Sequence, residues 1–242
     1  MSGHSKWSTI KHQKEAKDKK RGNIFTKLSR VITVAVIKGG SADSETNFSL
    51  RLAIDRARAA NMPKENIQKA IDRAGSKGGE GGQGLTEVVY EGFGPHQIAL
   101  VIEALTDNTN RTVAELKKLL ERGGGSLASP GSTSYLFEKM GLLAVAKKGD
   151  IETMMLKLID LGAEDVGEKE EEIIVYTKAE NLGRMRDQVA LEKNFEITRA
   201  EIVMRPKVVV KIPEVSKSKK IQNFLDSLEE HDDVQRVFAN IG

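Results

Sequence analysis

Ten residues able to engage a polyanion crowd the first twenty-one positions: His4, Lys6, Trp7, Lys11, His12, Lys14, Lys17, Lys19, Lys20 and Arg21, against only Glu15 and Asp18. Fixed positive charge at this density neutralises phosphates, and Trp7, the single tryptophan of the chain, offers one large π-face for stacking on a base. His4 and His12 suit contacts to phosphate or base edges. The competing reading is a solvated terminus with no partner, because terminal charge runs are common and often inert.

Other chemistry is poorly served. Zero cysteine excludes disulfides, thiolate metal sites and cysteine nucleophiles, and fits a reducing compartment. The four histidines, His4, His12, His96 and His231, share no ligand spacing. The acid run from Glu168 to Glu172 lacks the glycine-bounded geometry of a calcium loop and reads as a solvated turn. Ser129 to Ser132 reads as a turn, with no nucleophile elbow. Six of the ten residues from Gly75 to Gly84 are glycine, but no lysine-serine pair follows a strand there, so a linker fits better than a phosphate loop. No enzyme, cofactor or metal is expected. A second polar run, Asp107, Asn108, Thr109, Asn110 and Arg111, falls between a strand end and a helix start, where loops often bind ligands. The same residues are good helix caps, and capping alone accounts for most of the composition.

Charge is segregated along the chain. Up to Gly84 there are seventeen Lys and Arg against eight Asp and Glu; the remainder holds twenty-one against twenty-seven, so an overall +3 conceals a strongly polar molecule. Such a field orients the basic part toward nucleic acid, while the acidic part resists lying on it and could face a basic protein. The longest apolar run, Val31 to Ile37, is broken by Thr33 and is too short for a bilayer. With no apolar segment of a secretory signal at the N-terminus, the expected location is the cytoplasm and no membrane partner is expected.

The elements that must position these residues follow from periodicity. Asn23 can cap a helix with Phe25, Leu28, Ile32 and Ala35 on one face, ending at Gly39 and Gly40. A second helix starts near Asn47 with Leu50, Ile54 and Ala57 apolar. Pro63 opens a third at its first position, with Ile67, Ala70, Ile71 and Ala74 apolar and Gly75 closing it. The polar faces carry Lys27, Arg30, Lys38, Arg51, Arg56, Arg58, Lys64, Lys69 and Arg73, few of which have an opposite charge four residues away. Beyond the linker, 86–91 and 97–103 predict a hairpin, 110–122 a helix and 134–138 a strand. Residues 142–147, 150–161, 164–167, 172–177, 180–193 and 196–204 then give a βαββαβ order, the ferredoxin-like arrangement. A tail helix carrying Ile221, Phe224, Leu225 and Leu228 and a strand at 234–239 remain. Left alone they would expose a strand edge and an apolar face, so the tail is expected to return to the middle domain. The fold class is therefore α+β: a basic helical domain over 1–80, a discontinuous α/β domain from 81–138 plus 205–242, and a ferredoxin-like domain over 139–204 inserted into it.

Long ordered motifs add a resemblance. SGHSKW, RGNIFTKLSR, ARAANMPKENIQKAI, the glycine-rich linker, YEGFGP and TDNTNRT resemble the YebC/PmpR family over essentially the full length. The resemblance implies three domains, one helical and two α/β. Bacterial members are described as DNA-binding transcriptional regulators; other members, and a mitochondrial relative that activates translation of a cytochrome oxidase subunit, act on the ribosome. Carried onto this chain, Ser2 to Arg21 and the basic helix faces would be the nucleic-acid surface, and Asp107 to Arg111 a second contact. Two readings follow: a cytoplasmic DNA-binding regulator of transcription, or a ribosome-associated translation factor that binds ribosomal RNA and promotes elongation or translational activation. No clear helix-turn-helix supports the first, since only the joint at Asn61, Met62 and Pro63 is short enough. A protein-interaction scaffold with an incidental basic arm is a third.

Overall fold

Residues 4–39 form one helix, α1 (His4–Gly39), in a computed structural model that describes residues 4–75, 84–212 and 215–241. The expected start at Asn23 is corrected: the helix runs through that position into the lysine-rich segment. Lys, Glu, Gln, Arg and Ala are strong helix formers, so residues 11–21 sustain a helix without an apolar stripe, and Gly22 costs only about 1 kcal/mol against alanine. The chain separates into two compact units, Met1–Gln83 and Gly84–Gly242.

In the first unit, α2 (Phe48–Ala59) and α3 (Lys64–Gly75) pack on the C-terminal half of α1. Leu28, Ile32, Ala35 and Val36 of α1 meet Leu50, Ala53, Ile54 and Ala57 of α2 and Ile67, Ala70 and Ile71 of α3, with Met62 between them. Each large side chain so buried is worth roughly 1.5–3 kcal/mol. Asn47 does more than begin α2. Its Oδ1 accepts from Leu50 N (3.0 Å), while its Nδ2 donates to the carbonyls of Ala35 and Ser41, both at 2.8 Å, pinning the loop to α1. Pro63 sits one residue ahead of α3, its carbonyl accepting from the amides of Asn66 and Ile67.

The second unit holds two four-stranded antiparallel sheets. The first, in the order β3-β1-β2-β8, uses β1 (Thr86–Phe93), β2 (Ala99–Thr106), β3 (Ser126–Ala128) and β8 (Val234–Ala239). Helices α4 (Thr109–Arg122) and α7 (Val215–Glu229) share a core with it: Leu116, Leu120, Ile221, Phe224 and Leu228 bury against Tyr90, Leu100, Ile102 and Val234. The second sheet, in the order β5-β6-β4-β7, comprises β4 (Phe137–Ala146), β5 (Asp165–Lys169), β6 (Glu172–Lys178) and β7 (Ile197–Pro206), with α5 (Ile151–Asp160) and α6 (Leu182–Leu191) in the crossovers. Its βαββαβ sequence and strand order are those of a ferredoxin-like fold. The chain leaves the first sheet after β3, builds the second, and returns to lay β8 beside β2, pairing Val101 with Phe238 and Leu100 with Ala239. Ala99, Val101 and Phe137 cluster with Leu136, Met204 and Phe238, joining residues of both sheets.

Two strand expectations are corrected. Residues 134–136 form a single 3-10 turn, and Phe137 and Glu138 begin β4, which continues unbroken to Ala146. Gly141 falls between the two expected strands. Its real role is close approach: a Cβ there would lie 2.8 Å from Leu182 Cβ at the start of α6. The fourth strand of the first sheet is instead β3, three residues that follow a glycine run and carry too little pattern to read.

Candidate nucleic-acid interface

The charge change found in the sequence falls on the boundary between the units. Residues 1–83 carry the seventeen cations and eight acids, and 84–242 the acidic balance. Within the first unit, helical geometry sorts the cations by face. Lys69 and Arg73 are one turn apart on α3, away from its Ile67, Ala70 and Ile71 stripe, and both are exposed, as is Lys64. Arg51 and Arg58 share one flank of α2, with Arg56 on the other. Lys27 and Arg30 are half-buried on α1, and Arg21 is exposed.

Not all of these cations face outward. Arg51 uses its guanidinium internally, Nε donating to Ser44 O (3.0 Å) and Nη2 to Glu45 O (2.9 Å), so it holds the α1–α2 loop. The expectation of few intrahelical partners is corrected at Arg58, whose Nη1 lies 3.7 Å from Asp55 Oδ1. The backbone of residues 4–21 forms about five turns of α1. The side chains of His4, Lys6, Trp7, Lys11, His12, Lys14, Lys17, Lys19 and Lys20 lie outside the described residues.

The second candidate, Asp107 to Arg111, is drawn into the fold. Asn108 caps α4, its Oδ1 accepting from Arg111 N (3.1 Å). Arg111 Nη2 donates to Asp107 Oδ1 (2.8 Å) and to Asp233 Oδ2 (3.0 Å), tying the loop to the turn before β8. Asp233 is buried, and its Oδ2 also lies 2.8 Å from the Thr112 hydroxyl, itself 2.8 Å from Thr106 Oγ1. Burial alone would raise the Asp233 pKa, but the hydrogen bonds from Arg111 and Thr112 and the Arg111 charge outweigh it and hold the carboxyl below its ordinary range. Arg111 is pushed up, first by its hydrogen bond to Asp233. Asn110 is exposed on the first turn of α4.

Histidines far apart in sequence did not suggest the cluster of His231, Glu115 and Asp233. His231 Nδ1 accepts from Asp233 N (3.1 Å), which leaves its Nε2 to meet Glu115 Oε2 at 2.9 Å. One ligand atom from each of these three residues lies within 4.8 Å of the others. With Asp233 already hydrogen-bonded to Arg111 and Thr112 and His231 Nδ1 to the Asp233 amide, the arrangement fits a structural tie better than a metal centre.

Glu91 was also missed, although it belongs to the YEGFGP motif. Buried in β1, it accepts at Oε1 from Gly131 N (2.7 Å) and at Oε2 from Thr133 N (2.6 Å) and Ser134 N (2.8 Å). Burial opposes its charge, but the backbone hydrogen bonds from Thr133, Gly131 and Ser134 prevail and lower the pKa to about 2. A glutamate in an apolar strand, with a Ser- and Gly-rich turn downstream, is the sequence signal of such an anchor.

Comparison with known proteins decides the family. Residues 5–77 match the model described as the TACO1/YebC protein N-terminal domain, and residues 85–241 the TACO1/YebC second and third domain. The chain belongs to the TACO1/YebC family. A relative in Roseiflexus castenholzii, named "Probable transcriptional regulatory protein", is 45% identical over 100% of this chain and 95% of its own length. A relative of the same name in Thermotoga maritima is 46% identical over 99% and 93%. The crystal structure of a conserved hypothetical protein from Aquifex aeolicus matches with a TM-score of 0.80 at 39% identity, covering 92% of this chain and 90% of that one. TACO1/YebC membership thus agrees with the mixed helical and antiparallel-sheet fold. Among the described residues no helix is long and apolar enough to cross a membrane.

Proposed function

We propose that the protein is a cytoplasmic nucleic-acid-binding regulator, acting by binding and not by catalysis, whose basic helical unit seats on the phosphate backbone of duplex DNA to control transcription. The observation that carries this reading is the coincidence of charge and architecture: the basic excess is confined to one compact unit. The net attraction to a polyanion therefore lies in the helical unit. The names of the relatives support transcription as the process. The helical backbone of residues 4–21 supports DNA as the target, because the major groove of B-DNA admits a helix and that of an A-form duplex does not.

A second reading, a ribosome-associated translation factor binding ribosomal RNA, is favoured by Trp7. A lone tryptophan amid lysines suits the unstacked bases of folded RNA better than a closed duplex. On this reading the acidic α/β unit would face basic ribosomal proteins.

Sedimentation of tagged full-length protein from lysate through a sucrose gradient separates the two. The DNA reading expects migration at the top after DNase treatment and no change with RNase. Co-migration with ribosomal particles that RNase abolishes would overturn it in favour of the ribosome.

A further inference from the structure

The α/β unit is acidic as a whole, yet three lysines gather at one of its cavities. Lys148, Lys157 and Lys193 line a space of about 510 Å³ between the first turns of α5 and the α6–β7 connection, with Phe195 in its wall. That volume falls within the roughly 300–1,000 Å³ typical of small-ligand sites. Lys157 and Lys193 are exposed and have no carboxylate at salt-bridge distance among the described residues. Lys148 pairs with Glu196 at 2.5 Å, but both side chains are more than half exposed, and such pairs hold weakly. Asp150 is the one acid in the lining, and its carboxylate accepts from the Thr153 hydroxyl, leaving the backbone of α5 without a side-chain cap. The walls are held by main-chain bonds: Ala146 N–H donates to Glu196 O (2.9 Å) and Phe195 N–H to Glu192 O (3.1 Å).

Unpaired cations beside a half-buried aromatic ring fit a phosphate attached to a flat, stackable group. We propose that this cavity takes one unpaired nucleotide of the bound nucleic acid, its phosphates on Lys157 and Lys193 and its base against Phe195. The inference rests on the nucleic-acid-binding reading above and adds that the bound nucleic acid has an unpaired nucleotide beside the segment held by the helical unit, as melted DNA and folded RNA both do. A closed duplex hides its base faces and does not satisfy the site.

The test uses full-length protein and fluorescence anisotropy with a labelled twelve-nucleotide single strand, a blunt duplex of the same sequence, and AMP as the free-nucleotide probe. The double variant Lys157→Gln/Lys193→Gln is expected to weaken single-strand binding ~10-fold at physiological salt and to reduce the salt slope by about 1.4, two phosphates' worth, with duplex binding unchanged. Phe195→Leu should weaken the single strand without altering the slope, and Asp150→Asn, which removes the local repulsion, should strengthen it. Single-strand affinity and slope that survive the lysine pair overturn the proposal, as does an equal loss on the duplex. AMP binding as tightly as the strand overturns assignment to a nucleic acid in favour of a free nucleotide. If the wild-type protein binds neither nucleic-acid probe, the function proposed above fails with it; if it binds and the lysine pair is silent, only the cavity assignment fails.

Discussion

In the helical unit Lys64 and Lys69 stand on the solvent side of α3, whereas in the α/β unit Glu91 and Asp233 turn inward and hold other parts of the chain in place. Ionised groups of the first kind contribute little to folding, because exposed charges are well solvated with or without partners. Those of the second kind cannot be neutralised cheaply, because donors already aimed at them would be left unsatisfied in a dry interior. The contrast separates charge available for a partner from charge consumed by the fold. Asp107 and Arg111, attractive as a polar loop, stand between the two: both are exposed, yet they pair with each other, and Arg111 also pairs with the buried Asp233, tying the α4 entry to the turn before β8.

The sharpest way to break this comparison is at Glu91. Glu91→Gln should cost about 3 kcal/mol, the worth of a shift from 4.5 to about 2, read as a lower denaturant midpoint, with nucleic-acid affinity of the folded protein unchanged. A related expectation concerns acid. Because the folded pKa of Glu91 lies below its unfolded value, its stabilisation is complete above about pH 4.5 and disappears as pH falls toward 2; Asp233, also depressed, acts in the same direction. Acid titration followed by hydrogen exchange should therefore show the strands around Glu91 losing protection with falling pH, and Glu91→Gln should flatten that dependence.

Asn47→Ala should cost about 2 kcal/mol through the lost cap and the two carbonyls it leaves, and the exchange protection lost should lie in α1 and α2 while the sheets stay protected. The smallest stability effect is expected at Lys69→Gln, within about 0.5 kcal/mol, yet this variant should weaken nucleic-acid binding ~4-fold at 0.15 M salt if Lys69 meets a phosphate. A stability loss at Lys69 as large as that at Asn47 would erase the distinction between the two kinds of charge.

Much of this fold is legible in the sequence, where patterns are long. The apolar stripes of α2 and α3 are strong because each helix buries one face. The strands of the second sheet show as apolar runs separated by helical segments, with Met140 to Val145 and Ile173 to Val175 buried in succession. The lysine-rich half of α1 has no such face, so only propensity could reveal it, and a plausible cap at Asn23 misdirects the reading. Gly141 lies between the two expected strands and is a contact point for Leu182, a role visible only once α6 is in place. The candidate interface divides similarly. Charge segregation needs no coordinates, but the internal use of Arg51, the anchoring by Glu91 and the meeting of His231 with Glu115 depend on residues brought together from distant positions.

The most direct test of the central claim is the salt dependence of nucleic-acid binding by the wild-type chain and by a variant with Lys11, Lys14, Lys17, Lys19 and Lys20 changed to glutamine. Loss of five phosphate contacts predicts a slope of log affinity against log salt shallower by roughly 3.5 to 4.5, and affinity lower by at least ~100-fold near physiological salt, with an unchanged denaturant midpoint. An unchanged slope and affinity would contradict the account, placing the binding surface outside the N-terminal helix.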